Sequence, residues 1–310
     1  MKAIVAWRKL SHRSFLLSKA VPNTELWFFK TDSAYIQGFY NTFLKYLKER
    51  PATLILQLPQ GPLLLEGILL KKNFNCKIVV DVHTGFVYGH TFKGLIINKP
   101  FNKLLNYADL VIVHNNEILD LLHPSIIAKT EVVYDPWMFI QLTEQPSSDD
   151  NYLVFPASFS PDEPLLEVLS AVNEYKKIKV VVTGNYYRNP SLLRFSSSYV
   201  EFTGFLSRED YEKLLLNSSG VITGTNNEYT LMMSAWEAVA FQKPLILSET
   251  RTLRNMFDGY AFFYSWKSRK SILNVLPKVF SERDLDYARK KLKEKTINSL
   301  NALTKRLKEI

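Results

Sequence analysis

An aspartate and a histidine with complementary chemistry follow one apolar run of the sequence, in the segment VVDVHTG. Asp81 and His83 are two positions apart, and side chains at that spacing in a β-strand point to the same face. A histidine accepts or donates a proton near neutral pH, and a neighbouring carboxylate can orient its ring. The pair, followed directly by Thr84 and Gly85, therefore indicates a site for proton transfer. The alternative is a strand-end histidine that is bonded only to backbone.

A second group of polar residues indicates anion binding. The loop Thr225–Thr230 follows an apolar run that ends at Gly224, and a helical pattern carrying Glu237 is expected over 229–241. The first N–H groups of a helix have no partner within it, and together with the helix dipole they suit a diphosphate. Glu237, about two turns into that helix, would accept hydrogen bonds from ribose hydroxyls. The alternative is a solvated glutamate after a plain connecting loop.

Further loops carry cations, histidines or glycines near the expected ends of strands. The first of these loops holds His12 and Arg13, and Arg13 would meet an anionic group. Gly61, in LPQGP, would permit a close backbone approach. Arg188, in TGNYYRN, is a candidate cation for a diphosphate, with a plain surface charge as the alternative. His90 is a weaker candidate in the same loop as the histidine of VVDVHTG.

Short apolar runs alternate with helix-like segments, such as residues 34–50, along the whole chain. The runs are apolar nearly throughout, which is typical of parallel strands covered on both faces. Predicted strands cover residues 3–7, 26–30, 53–58, 77–82, 109–114 and 131–135, and then 152–157, 177–184, 199–204, 220–224, 244–249 and 260–265. This alternation predicts the α/β class, with two doubly wound Rossmann-like domains. Ligands of such sheets bind at the carboxyl ends of strands, where the loops described above lie.

A change of composition divides the chain into parts. The segment LTEQPSSDDN is polar and lacks periodicity, so we predict a linker over 142–151. We expect one Rossmann-like domain over 1–141, a second over 152–280, and a basic helix over 281–310. Two such domains joined by one linker would place the carboxyl ends of both sheets around one cleft.

Charge and cysteine content limit the class of protein. The 310 residues carry 39 Lys and Arg against 30 Asp and Glu, and this net charge of +9 favours an anionic partner. The single cysteine, Cys76, excludes an intramolecular disulfide and suits a reducing compartment. We expect no metal, because the five histidines lack HExxH spacing. No apolar run is long enough to span a membrane and the N-terminus is a poor signal peptide, so we expect a cytoplasmic protein.

Four segments in order resemble the nucleotide-sugar half of GT-B glycosyltransferases, above all the family 4 type that acts in polysaccharide biosynthesis. They are FPAS, VVVTG, VEFTGFLSREDYEKLLLNSSGVITG and NNEYTLMMSAWEAVAFQKPLI. The phrase DVHTG is similar to a loop that faces the acceptor and the donor sugar in bacterial relatives. The resemblance implies a GT-B fold and transfer of a sugar from a UDP- or GDP-linked donor to a glycan or lipid-linked acceptor. It also implies retention of configuration, and no metal or other cofactor.

The resemblance implies roles for individual residues. His83 and Asp81 would be the catalytic pair, and Glu237 would hold the pentose of the donor. The remaining donor-binding residues would be Gly184, Arg188, Thr225, Asn227, Glu228 and Thr230. The acceptor or phosphate side would comprise His12, Arg13, Gly61, Thr84 and Gly85.

This chain departs from the family pattern in three places. Eight residues separate Glu228 from Glu237, where the family has seven. The segment SFSPDEP is acidic where the family has an arginine and a lysine, and the first loop lacks a glycine pair. A degenerate GT-B protein that binds sugar nucleotides or nucleic acid without transfer is therefore an alternative. A GT-B sugar epimerase or phosphorylase is another, although no motif for a pyridoxal-phosphate lysine is evident.

Two interpretations of the basic C-terminal helix stay open. An apolar stripe fits packing against the first domain, and its members are Leu285, Ile297, Leu300, Leu303 and Leu307. The basic residues would instead draw the helix to an anionic membrane that holds a lipid-linked acceptor. We expect at most peripheral contact with the inner membrane face, and nucleic acid is not an expected partner of the transferase.

Overall fold

The computed structural model describes residues 1–31, 35–88, 98, 100–140, 150–281 and 284–310. The chain divides into two compact units, one formed by Met1–Phe139 with Glu294–Ile310 and the other by Ile140–Lys293. Residues 142–149 of the predicted linker lie outside the described residues, as does His90.

The first unit is built on a six-stranded parallel sheet. Its strands are β1 (Lys2–Trp7), β2 (Thr24–Phe29), β3 (Thr53–Gln57), β4 (Lys77–Val82), β5 (Leu110–Val113) and β6 (Thr130–Val132). Its helices are α1 (His12–Ala20), α2 (Tyr35–Glu49), α3 (Gly61–Phe74), α4 (Thr84–Val87) and α5 (Pro124–Ile127). The strand order is β2-β1-β3-β4-β5-β6, and every neighbouring pair is parallel.

The second unit is a six-stranded parallel sheet of the same kind. Its strands are β7 (Asp150–Pro156), β8 (Lys179–Thr183), β9 (Val200–Gly204), β10 (Ser218–Thr223), β11 (Leu245–Ser248) and β12 (Ala261–Tyr264). Its helices are α6 (Leu165–Tyr175), α7 (Arg208–Asn217), α8 (Met233–Ala240), α9 (Arg251–Phe257) and α10 (Arg269–Val275). The strand order is β12-β11-β10-β7-β8-β9, which is the order of a dinucleotide-binding Rossmann sheet.

The burial of the strands explains why the sequence pattern predicted the α/β class. All residues of β3, β5 and β11 are buried, and β1 and β4 are buried except at the first residue. Helices cover both faces of a doubly wound sheet, so apolar side chains are needed on both. The predicted α/β class with two Rossmann-like domains is confirmed.

Strand order reverses once in each sheet. In the first unit the reversal lies between β1 and β3, and in the second it lies between β7 and β10. The loops that leave the carboxyl ends of such a strand pair diverge to opposite faces of the sheet and leave a crevice where ligands bind. These two places position the candidate site residues.

The long helix α11 (Leu285–Glu309) ends the chain. From Glu294 onward it belongs to the first unit. Leu300, Leu303 and Leu307 are part of the core that also contains Ile4 and Leu17. This burial supports the packing interpretation of the helix. Among the described residues, each helix is too short or too polar to cross a bilayer.

Candidate active site

In the second unit, the loops after β7 and β10 are bonded to each other where strand order reverses. The Thr225 hydroxyl donates to Oδ2 of Asp162 at 2.6 Å, and the Asn226 N–H donates to the Asp162 carbonyl at 2.8 Å. The Ser248 hydroxyl fixes Thr225 further, because it accepts from the Thr225 N–H and donates to its carbonyl, both at 2.8 Å. Thr225 thus holds the two loops together at the expected ligand position, and its polar groups already have protein partners.

The rest of the loop is ordered by its own side chains. Asn227 is buried, and its Oδ1 accepts from the Tyr229 N–H at 3.2 Å. Glu228 is exposed, and its Oε2 accepts from the Arg251 N–H at 2.7 Å, at the start of α9. Thr230 is half-buried, and its N–H lies 3.4 Å from the Asn227 carbonyl. These contacts shape the loop, and donor binding by Asn227, Glu228 and Thr230 stays a prediction.

Helix α8 begins four residues later than expected, at Met233 rather than 229, because the Asn227 turn occupies the first part of that segment. Met232 at its N-cap supplies no side-chain acceptor, so no side chain there competes with an anion for the first N–H groups. Glu237 is consequently the fifth residue of the helix, in its second turn.

The Glu237 carboxylate has a fixed position. It is half-buried, and its Oε2 accepts from the Tyr211 hydroxyl of α7 at 2.6 Å. Burial raises the pKa of Glu237, and the Tyr211 hydrogen bond opposes that rise. Burial, together with the Glu237 charge, raises the pKa of Tyr211 well above its usual value, so Tyr211 remains a hydrogen-bond donor. An oriented acceptor of this kind suits a hydroxyl-bearing ligand.

Gly184 and Arg188 lie in the loop after β8. Gly184 has a φ of +106°, and a Cβ there would lie 2.0 Å from the Ala157 carbonyl oxygen. Glycine is therefore required for the close approach of the loops after β7 and β8. Arg188 is exposed, and its Nη1 donates to the Ser158 carbonyl at 2.7 Å. This contact brings a cation to the loop whose acidic sequence made diphosphate binding hard to explain.

Two exposed aromatic side chains in this region were missed by the sequence analysis. Phe205, directly after β9, is 87% exposed, and Tyr187, in the loop after β8, is 77% exposed. The rings of Tyr186 and Tyr187 lie 4.7 Å apart between centroids. Both could have been identified from the sequence, because each is an aromatic residue that follows the end of a predicted strand.

In the first unit, the predicted residue Arg13 is the centre of a buried ionic network. Its Nε lies 3.0 and 3.2 Å from the two carboxylate oxygens of Asp81. Its Nη1 lies 3.0 Å from Oδ1 of Asp135 and donates to the Val133 carbonyl at 2.9 Å. Burial would lower the pKa of Arg13, but the two carboxylates outweigh that effect and raise it. Its Nη2 is buried without a hydrogen-bond partner in the described part of the chain.

Asp81 joins this network to His83. Nε2 of His83 lies 3.1 Å from Oδ2 of Asp81. Burial would raise the pKa of Asp81, but the charges of Arg13 and His83 hold it well below its usual range. An ionised Asp81 only accepts, so Nε2 of His83 is the ring nitrogen that donates in this contact, and Nδ1 takes no part in it. The His83 side chain is 22% exposed, so its ring is accessible to a ligand in part.

Two residues beside this pair were not identified from the sequence. The His114 ring lies 6.5 Å from the His83 ring between centroids, and its Nε2 lies 3.2 Å from the Thr84 hydroxyl. Burial lowers the pKa of His114 to about 4, although the Asp135 carboxylate opposes this, so the ring is neutral at pH 7. His114 and Asp135 end the apolar runs DLVIVH and EVVYD, and Asp81 is next to last in its own run. Their place at the ends of predicted strands could have identified them.

The remaining predicted residues of the first unit have separate surroundings. His12 is the first residue of α1, half-buried, with its ring 6.3 Å from that of Phe15. A Cβ on Gly61 would lie 2.2 Å from the Phe101 ring, so the close approach at Gly61 is made by Phe101. A Cβ on Gly85 would have no heavy atom of the described residues within 4 Å. The described residues contain no group of three or more His, Cys, Asp or Glu side chains placed to hold a metal ion.

Comparison with solved structures identifies the fold. The chain is similar over its whole length to HepE from Anabaena, solved with UDP and glucose, with a TM-score of 0.77, 13% identity and coverage of 100% of this chain and 99% of that one. A glycosyltransferase from Rickettsia africae gives a TM-score of 0.73, 13% identity and coverage of 99% and 96%. Sucrose-phosphate synthase from Thermosynechococcus elongatus gives 0.69, 12% identity and coverage of 98% and 94%. The sequence matches no protein-family model and none of the curated proteins. The protein has the GT-B fold, as the resemblance implied.

Proposed function

We propose that this protein is a nucleotide-sugar-dependent glycosyltransferase that transfers a hexosyl group. The carrying observation is the Glu237 carboxylate, which Tyr211 holds in the helix that follows the loop joined by Thr225 to Asp162. The fold adds support, because HepE was solved with UDP and glucose. UDP is accordingly the first nucleotide to test, with GDP second.

The donor would bind along the carboxyl ends of β7 to β10. Glu237 would accept hydrogen bonds from the ribose hydroxyls, and the first N–H groups of α8 would face the diphosphate. Arg188 is the nearest predicted cation for the leaving group, since it is bonded to the loop after β7. Phe205 and Tyr187, exposed beside these strands, would stack on the base.

Transfer breaks the bond between the anomeric carbon and a diphosphate oxygen, and the electron pair stays with the diphosphate. The acceptor oxygen bonds to that carbon and loses its proton. Preorganised N–H groups and a cation stabilise the departing charge, which is usually the largest catalytic contribution. His83 would accept at Nδ1 a hydrogen bond from the sugar or the proton of the acceptor, while Asp81 fixes the ring. By the family resemblance the configuration is retained and no metal takes part.

The proposed function also includes the class of acceptor and where the protein would meet it. We expect a glycan or a lipid-linked saccharide, and peripheral contact with an anionic membrane at the cytoplasmic face. The competing function is a GT-B protein that binds sugar nucleotides or nucleic acid without transfer. The acidic segment after β7 favours it, but Asp162 and Glu163 are bonded to Thr225 and Ser158, so both acids also have structural roles.

Thermal unfolding of the full chain with UDP-sugars, GDP-sugars and an oligonucleotide tests the proposal. We expect stabilisation by a nucleotide sugar that disappears in Glu237→Ala. The matched control is Glu209→Ala, since Glu209 is an exposed glutamate on α7 that pairs only with Lys213 at 2.7 Å among the described residues. Stabilisation by the oligonucleotide alone would contradict the proposal.

Transfer itself is tested with radiolabelled donors and a lipid extract. We expect His83→Gln to lower turnover by about a hundredfold or more while nucleotide-sugar stabilisation is kept, because the histidine acts on the reaction and not on the donor. The control is His123→Gln, at an exposed histidine that caps α5. Donor binding without transfer or donor hydrolysis in the unaltered protein would establish the competing function.

A further inference from the structure

Helix α2 has a large apolar face in contact with solvent. Ile36, Tyr40, Phe43 and Leu44 are 83%, 62%, 38% and 45% exposed. Residues three, four, seven and eight positions apart share one side of a helix, so these four form one surface, the α2 apolar face. Three of them also line a groove of about 600 Å³, together with Tyr35 and Phe39 on the same helix.

The opposite side of α2 is buried although it carries smaller or more polar groups. Gly38 is buried, and a Cβ there would lie 2.7 Å from the Trp7 ring. Thr42 is buried too, and its hydroxyl accepts from Nε1 of Trp7 at 2.9 Å. The buried side of the helix is thus formed by Gly38, Thr42 and Tyr46, whereas the four residues of the α2 apolar face are exposed to solvent. Apolar patches on a protein surface commonly mark sites of interaction.

Cations lie at both ends of the α2 apolar face. At the N-terminal end, Nη1 of Arg8 donates to the Tyr35 hydroxyl at 3.1 Å. At the C-terminal end, the Lys48 side chain is 82% exposed, and its ion pair with Glu49 is long, at 3.8 Å. Arg50 is exposed as well, with its Cζ 4.7 Å from the Phe74 ring centroid.

The Phe74 ring in turn lies 6.4 Å from that of Phe43, so Phe74 connects Arg50 to the α2 apolar face. Among the described residues, Arg8, Lys48 and Arg50 thus border this surface with the carboxylate of Glu49, and Lys45 pairs with Glu25 beside them, in a chain whose net charge is +9. A partner that covers the α2 apolar face must therefore be apolar where it meets the face and negatively charged where it meets these cations.

From this arrangement we infer that α2 binds the surface of an anionic lipid bilayer. An apolar stripe between basic residues is the pattern of a helix that lies in the headgroup region, with its apolar side chains among the acyl chains. Anionic lipids supply the negative charge that the cations lack. A second copy of the chain fits poorly, because a twofold interface through this face would bring the same cations together. The inference does not depend on sugar transfer, and it assigns membrane contact to α2 instead of the basic helix α11.

Co-sedimentation of the full chain with vesicles tests the inference. The vesicles contain phosphatidylcholine alone or with one third phosphatidylglycerol, and we expect binding to the anionic ones only. The triple variant Ile36→Ser, Tyr40→Ser, Phe43→Ser should weaken binding at least about tenfold, since burial of one large apolar side chain is worth about that factor. Arg8→Gln with Lys48→Gln and Arg50→Gln should weaken binding to anionic vesicles and reduce its dependence on salt.

Two controls make the result specific. Ile127→Ser, Phe280→Ser, Tyr287→Ser removes three exposed apolar side chains elsewhere and should leave vesicle binding unchanged. Lys290→Gln, Lys291→Gln, Lys293→Gln on α11 should leave most of the binding intact. Circular dichroism and nucleotide-sugar stabilisation, measured on each variant, separate this result from that of the proposed function.

Three results would overturn the inference. One is absence of binding to anionic vesicles by the unaltered protein. Another is full binding by the α2 triple variant together with loss in the α11 variant. The third is a dimer in solution that becomes a monomer in the α2 triple variant, because the face would then be covered by a second copy.

Discussion

Arg13 and Asp81, 68 positions apart in the sequence, form a buried ion pair in which Nε of the arginine lies 3.0 and 3.2 Å from the two carboxylate oxygens. The same guanidinium reaches Asp135 at 3.0 Å. Two buried carboxylates thus neutralise this guanidinium, and its contact with an anionic acceptor or a donor phosphate stays a prediction. The pair keeps Asp81 ionised, and Asp81 in turn sets the tautomer of His83.

Removal of this cation should destabilise the fold strongly. In Arg13→Met, Asp81 and Asp135 would remain buried without a counter-charge, and loss of one partner of a buried pair costs about 3–5 kcal/mol. We expect that loss in the free energy of unfolding by urea at pH 7. Lys45→Gln is the control, because it breaks a partly exposed pair with Glu25 that is worth about 1 kcal/mol or less. Equal small effects would mean that the network does not stabilise the fold.

Glu66 on α3 should make the protein less stable at alkaline pH. Glu66 is 1% exposed, and burial raises its pKa to about 9, against a smaller opposing effect of the Thr42 hydroxyl. Because the pKa of Glu66 is higher in the folded protein than in the unfolded chain, its protonation adds to the unfolding free energy. This contribution is complete below about pH 4.5 and is lost as pH rises towards 9.

Glu66→Gln should therefore resemble the unaltered protein at pH 5 and exceed its unfolding free energy by a few kcal/mol at pH 9. Urea unfolding over this pH range measures the difference. Glu209→Gln, at an exposed position, should show no such trend. A constant difference across the range would show that Glu66 is ionised in the folded protein.

The Tyr211 hydroxyl should control the pH range of donor binding. Its hydrogen bond opposes the burial effect that raises the pKa of Glu237, so in Tyr211→Phe that pKa should rise further. Protonation of Glu237 weakens it as an acceptor, and donor KM should therefore increase at a higher pH than in the unaltered protein, with kcat changed less. A parallel decrease of kcat and kcat/KM at every pH would place Tyr211 outside the donor site.

Gly184 and Gly85 should respond differently to the same substitution. Gly184→Ala places a methyl group 2.0 Å from the Ala157 carbonyl oxygen at a φ of +106°, and we expect a loss of about 2–4 kcal/mol in unfolding free energy. The added methyl group of Gly85→Ala meets no described atom within 4 Å, and it should change stability by less than about 1 kcal/mol. Thermal unfolding of both variants provides the comparison. Similar losses in both would show that the loops after β7 and β8 separate easily.

The strands and their carboxyl ends could be predicted from the sequence because both faces of each sheet are covered. Runs such as LVIV have no polar side, and that pattern is typical of a buried parallel strand. Asp81 and His83 could also be paired, since two residues on one strand end depend on local spacing alone.

Contacts between distant segments could not be predicted in this way. Arg13, in α1, is 122 positions from Asp135, and three strands separate β1 from β6 in the sheet, so neither local spacing nor the strand order predicts their contact. A glycine indicates that something approaches closely but not what it is, and at Gly61 it is the Phe101 ring. Likewise, apolar spacing predicted helix α2 but not which side faces the core, because burial is decided by Trp7 and the groups around it.

The leucines that α11 contributes to the first core have a consequence for how the molecule is made. Leu300, Leu303 and Leu307 share that core with Ile4 and Ile55, although the whole of the other unit separates the two stretches in sequence. A ribosome releases the amino-terminal sheet long before these leucines emerge. Until then, the sheet of the first unit leaves exposed the apolar surface that α11 later covers. The sheet of the second unit, in contrast, can form from one continuous stretch of chain.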